Sequence, residues 1–123
     1  MRKIETDQAP AAIGPYSQAM VSCGLVFVSG QIPINPDSGE IVVSDIHLQT
    51  EQVMKNLGAV LAAAGSGFER VVKATCYLAD MDDFESFNVM YSKYMTSRPA
   101  RSTVAVKRLP KHVLVEVDVI AEV

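Results

Sequence analysis

The chain has no tryptophan, only two cysteines and two histidines, and no apolar run near the roughly 20 residues a helix needs to cross a bilayer. Each shortage removes a class of protein. Cys23 and Cys76 stand far apart in apolar, strand-like stretches without C-x-x-C spacing, so a disulfide framework is excluded and both read as reduced core thiols. His47 and His112 have no Cys, Asp or Glu at zinc-ligand spacing, so no metal site is expected and both read as surface residues. Eleven Lys and Arg against 14 Asp and Glu leave a net charge of -3, and the one dense basic group, Lys107-Arg108 with Lys111, flanks a turn. A protein that binds phosphates needs a basic face, so nucleic acid is disfavoured as a partner. Gly65-Ser66-Gly67 lacks the lysine and the length of a phosphate loop and reads as a helix stop. Ser29-Gly30 lies outside any G-x-S-x-G, which argues against a serine hydrolase. The opening Met1 to Asp7 turns acidic where a signal peptide turns apolar, so a cytoplasmic location is expected.

What is present is ordinary for a globular protein: 123 residues, 49% hydrophobic and 20% charged, expected to fold as a single domain over residues 1–123. A first strand is predicted near Arg2-Thr6. Ala9 to Pro15 is punctuated by proline and glycine and reads as a loop that delivers Tyr16 to a strand. Tyr16 to Val21 and Leu25 to Ser29 then read as a hairpin turned near Ser22-Gly24. Leu25-Val26-Phe27-Val28 shows no alternation, which predicts burial on both faces. From Asp45 to Ala64 the residues Ile46, Val53, Leu57, Val60, Leu61 and Ala64 recur at helical spacing, with Asp45 as N-cap and Gly65 as stop. A strand over Val71-Leu78 follows. A second helix over Met81-Met95 comes next, capped by Asp80, with Phe84, Phe87, Tyr91 and Tyr94 as its inward stripe. This order predicts an α+β fold, a mixed β-sheet with two helices packed on one face. Two helices leave the other face bare, so a homo-oligomer with clefts between subunits is expected.

The last third carries the chemistry. Arg101 opens one strand-like run and Val115-Glu116-Val117-Asp118-Val119 forms another. If the two make an antiparallel hairpin turned at Leu109-Pro110, Thr103 faces Glu116, Arg101 faces Asp118, and Glu116 is diagonal to Arg101 on a single polar face. From the residues alone, this is either a cross-strand ion pair or a clamp for a small anion.

Five blocks in order along almost the whole chain resemble the RidA (YjgF/YER057c/UK114) family: Pro10-Ala11-Ala12-Ile13-Gly14-Pro15-Tyr16-Ser17-Gln18, Val28-Ser29-Gly30-Gln31-Ile32-Pro33, Phe87-Asn88 with Tyr91, Arg98-Pro99-Ala100-Arg101-Ser102, and Leu109-Pro110-Lys111 with Val115-Glu116. The resemblance implies a chorismate-mutase-like fold assembled as a homotrimer with active sites between subunits. It also implies a 2-iminobutanoate/2-iminopropanoate deaminase that hydrolyses 2-aminoacrylate-derived imines to 2-oxo acids and ammonia and so protects pyridoxal-phosphate enzymes. Carried over by position, Arg101 matches the arginine that holds the substrate carboxylate, and Glu116 the glutamate that activates water. Tyr16, Ser29, Gly30, Asn88 and Thr103 match the other pocket residues. Some members have cysteine where this chain has Thr103, so a role needing a thiol is absent there. The link Thr96-Ser97-Arg98 before Pro99 is shorter than in some relatives, and Arg98 adds a charge. Neither metal nor organic cofactor is expected, because an imine needs only a held carboxylate and a delivered water. The alternatives are a non-catalytic regulatory protein that binds a small carboxylate in the same cleft, and a ribonuclease or translation inhibitor, the latter an older attribution within the family.

Overall fold

The computed structural model describes all of residues 1–123. Six strands form one sheet: β1 (Arg2–Ile4), β2 (Ala19–Ser22), β3 (Leu25–Gln31), β4 (Val71–Leu78), β5 (Ala100–Ala105) and β6 (Val115–Glu122), in spatial order β1-β2-β3-β6-β4-β5. Two helices, α1 (Ile46–Ala63) and α2 (Phe84–Tyr94), pack on one face. The expected α+β class and helix placement therefore hold.

Local signals account for most boundaries. The Asp45 side chain accepts from the Leu48 backbone N–H at 2.9 Å and starts α1. Gly65, at φ +79, ends it in a conformation that costs glycine nothing. Asp80 caps a short 3₁₀ turn that leads into α2, which therefore begins at Phe84 and not at Met81. Val53, Leu57, Val60 and Leu61 of α1 bury completely against Val26, Val115, Val117 and Val119 of the sheet.

The predicted terminal hairpin does not form. β5 pairs parallel with β4, and β6 lies antiparallel between β3 and β4, so β4 separates the two segments. The reason is topological. β4, α2 and β5 form a strand–helix–strand crossover, which lays its second strand parallel beside the first. β6, whose valines alternate strictly, takes the interior position where it bonds neighbours on both edges. The link between β5 and β6 passes over the end of β4 through Lys111 and His112, both in left-handed conformation at φ 55 and 56.

Two other expectations are corrected. Cys76 is buried, but Cys23 is exposed at the β2–β3 turn, at φ 54, because a two-residue connection leaves its side chain outside the sheet. In β3, Val26 and Val28 are buried while Phe27 remains 44% exposed, because both helices lie on the valines' side. Burial on both faces would need cover from outside the chain.

Two buried amides on α1 anchor the loops. Asn56 Nδ2 donates to the carbonyls of Ile32 and Ile34 at 3.1 and 3.0 Å. Gln49 joins the Val42 carbonyl to the Leu114 N–H. Replacing Asn56 with leucine adds apolar surface yet strands two carbonyls, so Asn56→Leu should destabilise the fold by about 1–3 kcal/mol, read from urea denaturation. A stabilised variant would contradict this assignment.

Candidate functional site

The register of the sheet divides the predicted site residues into two groups. Arg101 lies opposite Ala74, which lies opposite Val119, so Arg101 shares the helix-covered face. Thr103 lies opposite Cys76 on that same face. Glu116 lies opposite Tyr77, with Asp118 two residues along, on the bare face. Within one chain Arg101 and Glu116 are therefore on opposite sides of the sheet, and the expected pairings of Thr103 with Glu116 and Arg101 with Asp118 are both overturned.

On the covered face, Arg101 is half-buried at the sheet edge beneath α2. Its Nη1 donates to Asn88 Oδ1 at 2.7 Å. The guanidinium carbon sits 4.7 Å from the centre of the Tyr91 ring and 5.4 Å from that of Phe84. One amide oxygen and two π faces therefore hold the cation, and no carboxylate of the chain pairs with it; the only ion pairs are Lys3–Glu5 and Lys55–Glu51. The hydroxyls of Tyr91 and Thr103 are buried without hydrogen-bond partners. Burial pushes the Cys76 thiol up to about 12, against the opposing pull of the Arg101 charge. The Tyr91 hydroxyl is likewise pushed up to about 12 by burial. Both stay neutral at physiological pH, so nothing in the chain neutralises Arg101. Its unused donors border a groove of about 670 Å³ shared with Asn88, Tyr91 and Arg98.

On the bare face, Tyr16, Ser29, Gly30 and Glu116 line a second groove of about 580 Å³ with Pro110 and Lys111. A β-bulge builds it. Val28 pairs with Val119 and Gln31 with Val117, so Ser29 and Gly30 together oppose Asp118 alone and are turned toward the bare face. A Cβ on Gly30 would overlap the Glu116 carboxylate, whose Cδ would lie 2.9 Å away, so only glycine lets the carboxylate lie against the strand. The Ser29 hydroxyl donates to the Ser17 carbonyl at 2.6 Å, tying the bulge to the segment that carries Tyr16. Gln18 holds the preceding loop: it accepts from the Thr6 N–H at 2.7 Å and donates to the Pro10 carbonyl at 2.8 Å. Burial raises the Glu116 carboxyl above its ordinary value, and the charge of Asp118 raises it further. Asp118 is itself raised by burial, against a 3.2 Å hydrogen bond from the Tyr77 hydroxyl and the charge of Lys73.

Of the residues expected at the site, Arg101 and Asn88 line the groove on the covered face, Thr103 lies on that face outside the groove, and Tyr16, Ser29, Gly30 and Glu116 line the groove on the bare face. The sequence reading missed several contributors. Tyr91 and Phe84 read only as part of the inward stripe of the second helix although they carry the guanidinium, because helical spacing cannot distinguish a ring facing a valine from one facing a cation. Lys111 read as part of a solvated turn, yet its left-handed backbone places it in the Glu116 groove. His47 and His112 are exposed, and no three His, Cys, Asp or Glu side chains converge. No helix is long and apolar enough to cross a membrane.

Residues 6–123 match the model of the family described as Endoribonuclease L-PSP. A Lactococcus lactis protein named "Putative regulator AldR" is 55% identical over 100% of this chain and 98% of its own. The chloroplastic Reactive Intermediate Deaminase A of Arabidopsis thaliana is 45% identical over 96% of this chain and 64% of its own. Among solved structures, Escherichia coli TdcF with bound serine superposes with a TM-score of 0.94 at 38% identity, covering 100% of this chain and 99% of that one.

Two outcomes test this geometry. Asp118→Asn removes the neighbouring negative charge, so the Glu116 pKa should fall toward the ordinary carboxylate value in a carboxyl NMR titration; an unchanged value would place Asp118 outside its field. Gly30→Ala should expel the Glu116 carboxylate from its position against the strand. A crystal structure of the variant with Glu116 unmoved would refute the steric argument.

Proposed function

The chain belongs to the endoribonuclease L-PSP, or Rid, family, and from that premise we propose that it is a cofactor-free deaminase of 2-imino acids. Its substrates are 2-aminoacrylate in its 2-iminopropanoate form and 2-iminobutanoate, hydrolysed to 2-oxo acids and ammonia in the cytoplasm. The observation that carries this reading is the half-buried Arg101, held by Asn88 and two rings but given no carboxylate by its own chain. A cation left in that state fits a carboxylate supplied from outside. The reading is supported by a relative named as a reactive intermediate deaminase and by a similar structure that holds serine, an amino acid with a carboxylate.

The active site is composite. Arg101 of one subunit meets Tyr16, Ser29, Gly30 and Glu116 of the next, in a homotrimer that uses the bare face of the sheet as its contact surface, where Phe27 and Val104 are 44% and 45% exposed. This assembly would resolve the separation of Arg101 from Glu116 in one chain.

The chemistry then runs as follows. The guanidinium fork holds the substrate carboxylate and fixes the C=N carbon in the cleft. Glu116 accepts a proton from water as the water oxygen bonds to that carbon, and the imine nitrogen takes up a proton. The resulting carbinolamine loses ammonia as its hydroxyl proton leaves and the C=O bond forms, with Glu116 passing its proton toward the departing nitrogen. The Gly30 N–H and the Tyr16 and Ser29 hydroxyls orient the intermediate. Burial and the charge of Asp118 raise the Glu116 carboxyl, which makes it a stronger base than an ordinary glutamate. Activity should therefore fall as pH drops through that raised pKa.

A second reading follows from the relative named as a regulator: the same cleft binds a small carboxylate without turning it over. Coupling the protein to a threonine dehydratase separates the two. The deaminase should hasten loss of the imine, and Arg101→Ala should abolish the effect. Glu116→Gln should lower kcat about 10²–10⁴-fold. Saturable 2-oxobutanoate binding with no change in imine decay would favour the regulator, while RNA cleavage that survives Arg101→Ala would require another site. Refolding Arg101→Ala and Glu116→Gln subunits together should restore about a quarter of the activity if each site draws on two subunits. No recovery would confine the site to one chain.

A further inference from the structure

Arg101 is not the only guanidinium at its groove. Arg98 lines the same cavity of about 670 Å³ with Asn88, Tyr91, Ser92 and Thr96, and no Asp or Glu is among the lining residues. Neither arginine forms an ion pair within the chain. Tyr91 borders the same space.

The backbone makes this placement specific. Arg98 has φ +51, a left-handed conformation that favours glycine, and it precedes a proline, which restricts it further. Its N–H donates to the Met95 carbonyl at 3.1 Å, and the Ser97 hydroxyl donates to the Val71 carbonyl at 2.8 Å, so the turn is fixed at both ends. A long cationic side chain thus occupies a position that glycine would fill with less strain. Three peptide units separate Arg98 from Arg101, which limits their Cα atoms to about 11 Å apart, within reach of two long side chains on one small ligand.

We propose that Arg98 gives this site a preference for dicarboxylic 2-imino acids of four or five carbons, binding the second carboxylate of a substrate whose first is held by Arg101. This rests on the assignment of Arg101 to the substrate carboxylate. The reaction is unchanged: water adds to C=N, and a dicarboxylic 2-oxo acid and ammonia leave. Two carboxylates entering a groove with two cations and no acid keep charge balanced at each end of the ligand.

The test uses the products, whose binding needs no turnover. Calorimetric titration with 2-oxoglutarate and with 2-oxobutanoate should show the dicarboxylate binding about tenfold more tightly to the wild-type protein. Arg98→Gly removes the cation but accepts the same backbone angle, so it guards against misfolding; with Arg98→Ala beside it, the ratio of the two affinities should collapse toward one. Arg98→Lys should recover part of it. A ratio unchanged in Arg98→Gly, or a parallel loss of both ligands, would overturn the proposal. Turnover of imines generated in place from glutamate and from threonine separates it from the deaminase reading. Imine turnover with no Arg98-dependent ratio removes the role of Arg98 alone. An Arg98-dependent ratio without turnover retains that role and removes the deaminase.

Discussion

A six-stranded sheet with two helices on one side and nothing on the other sets the terms for everything else in this protein. The covered side buries the valines of β3 and β6 completely or nearly so. Apolar burial there is the main source of stability, at roughly 25 cal/mol for each Å² removed from water. The bare side keeps Phe27, Val104 and Tyr16 at 44%, 45% and 55% exposure, alongside the polar Glu116, Asp118, Thr75 and Tyr77. Because residues alternate between faces, each functional side chain is assigned to one environment or the other by its parity along the strand.

That assignment produces two different electrostatic settings. Beneath α2, Arg101 is surrounded by groups that cannot neutralise it: Asn88 offers a dipole, Phe84 and Tyr91 offer ring faces, and the Cys76 thiol and Tyr91 hydroxyl are held in their neutral forms. The cation is positioned but not satisfied. Across the sheet, burial raises the cost of ionising both Glu116 and Asp118, and the charge of Asp118 adds to it at Glu116. Under the proposed function these two groups are the acid-binding cation and the base that hydrolysis of an imino acid requires, and within one chain the sheet keeps them on opposite faces. Bringing them together in one cleft is what the proposed trimer adds.

Much of this was legible in advance, for reasons specific to each element. α1 was readable because its apolar residues repeat at helical spacing between a capping Asp45 and a left-handed Gly65. β4 matched over Val71–Leu78, and the alternation of Val115, Val117 and Val119 gave the correct inward face of β6. The hairpin failed because nearness in sequence was taken for pairing, whereas α2 returns β5 to the side of β4 and leaves β6 to fill the gap between β3 and β4. The same error placed Arg101 and Glu116 on one face. Cys23 was misread because an apolar neighbourhood in sequence says nothing about which residue falls on a tight turn.

The sequence by itself determined which groups are available: Arg101 and Glu116 in strands, the glycine and serine before Gln31, the aromatic stripe of α2, and the five blocks that carry the family resemblance. These are properties of residue type and local periodicity, which short-range interactions impose within a few turns of chain. Only the tertiary structure decided where those groups go: β4 between the strands of Arg101 and Glu116, a bulge that sets Gly30 against Glu116, and rings of α2 against a guanidinium with no acid. Strand order is set by long-range pairing and crossover connections, and adding or removing one intervening strand changes which residues can meet without altering any local pattern.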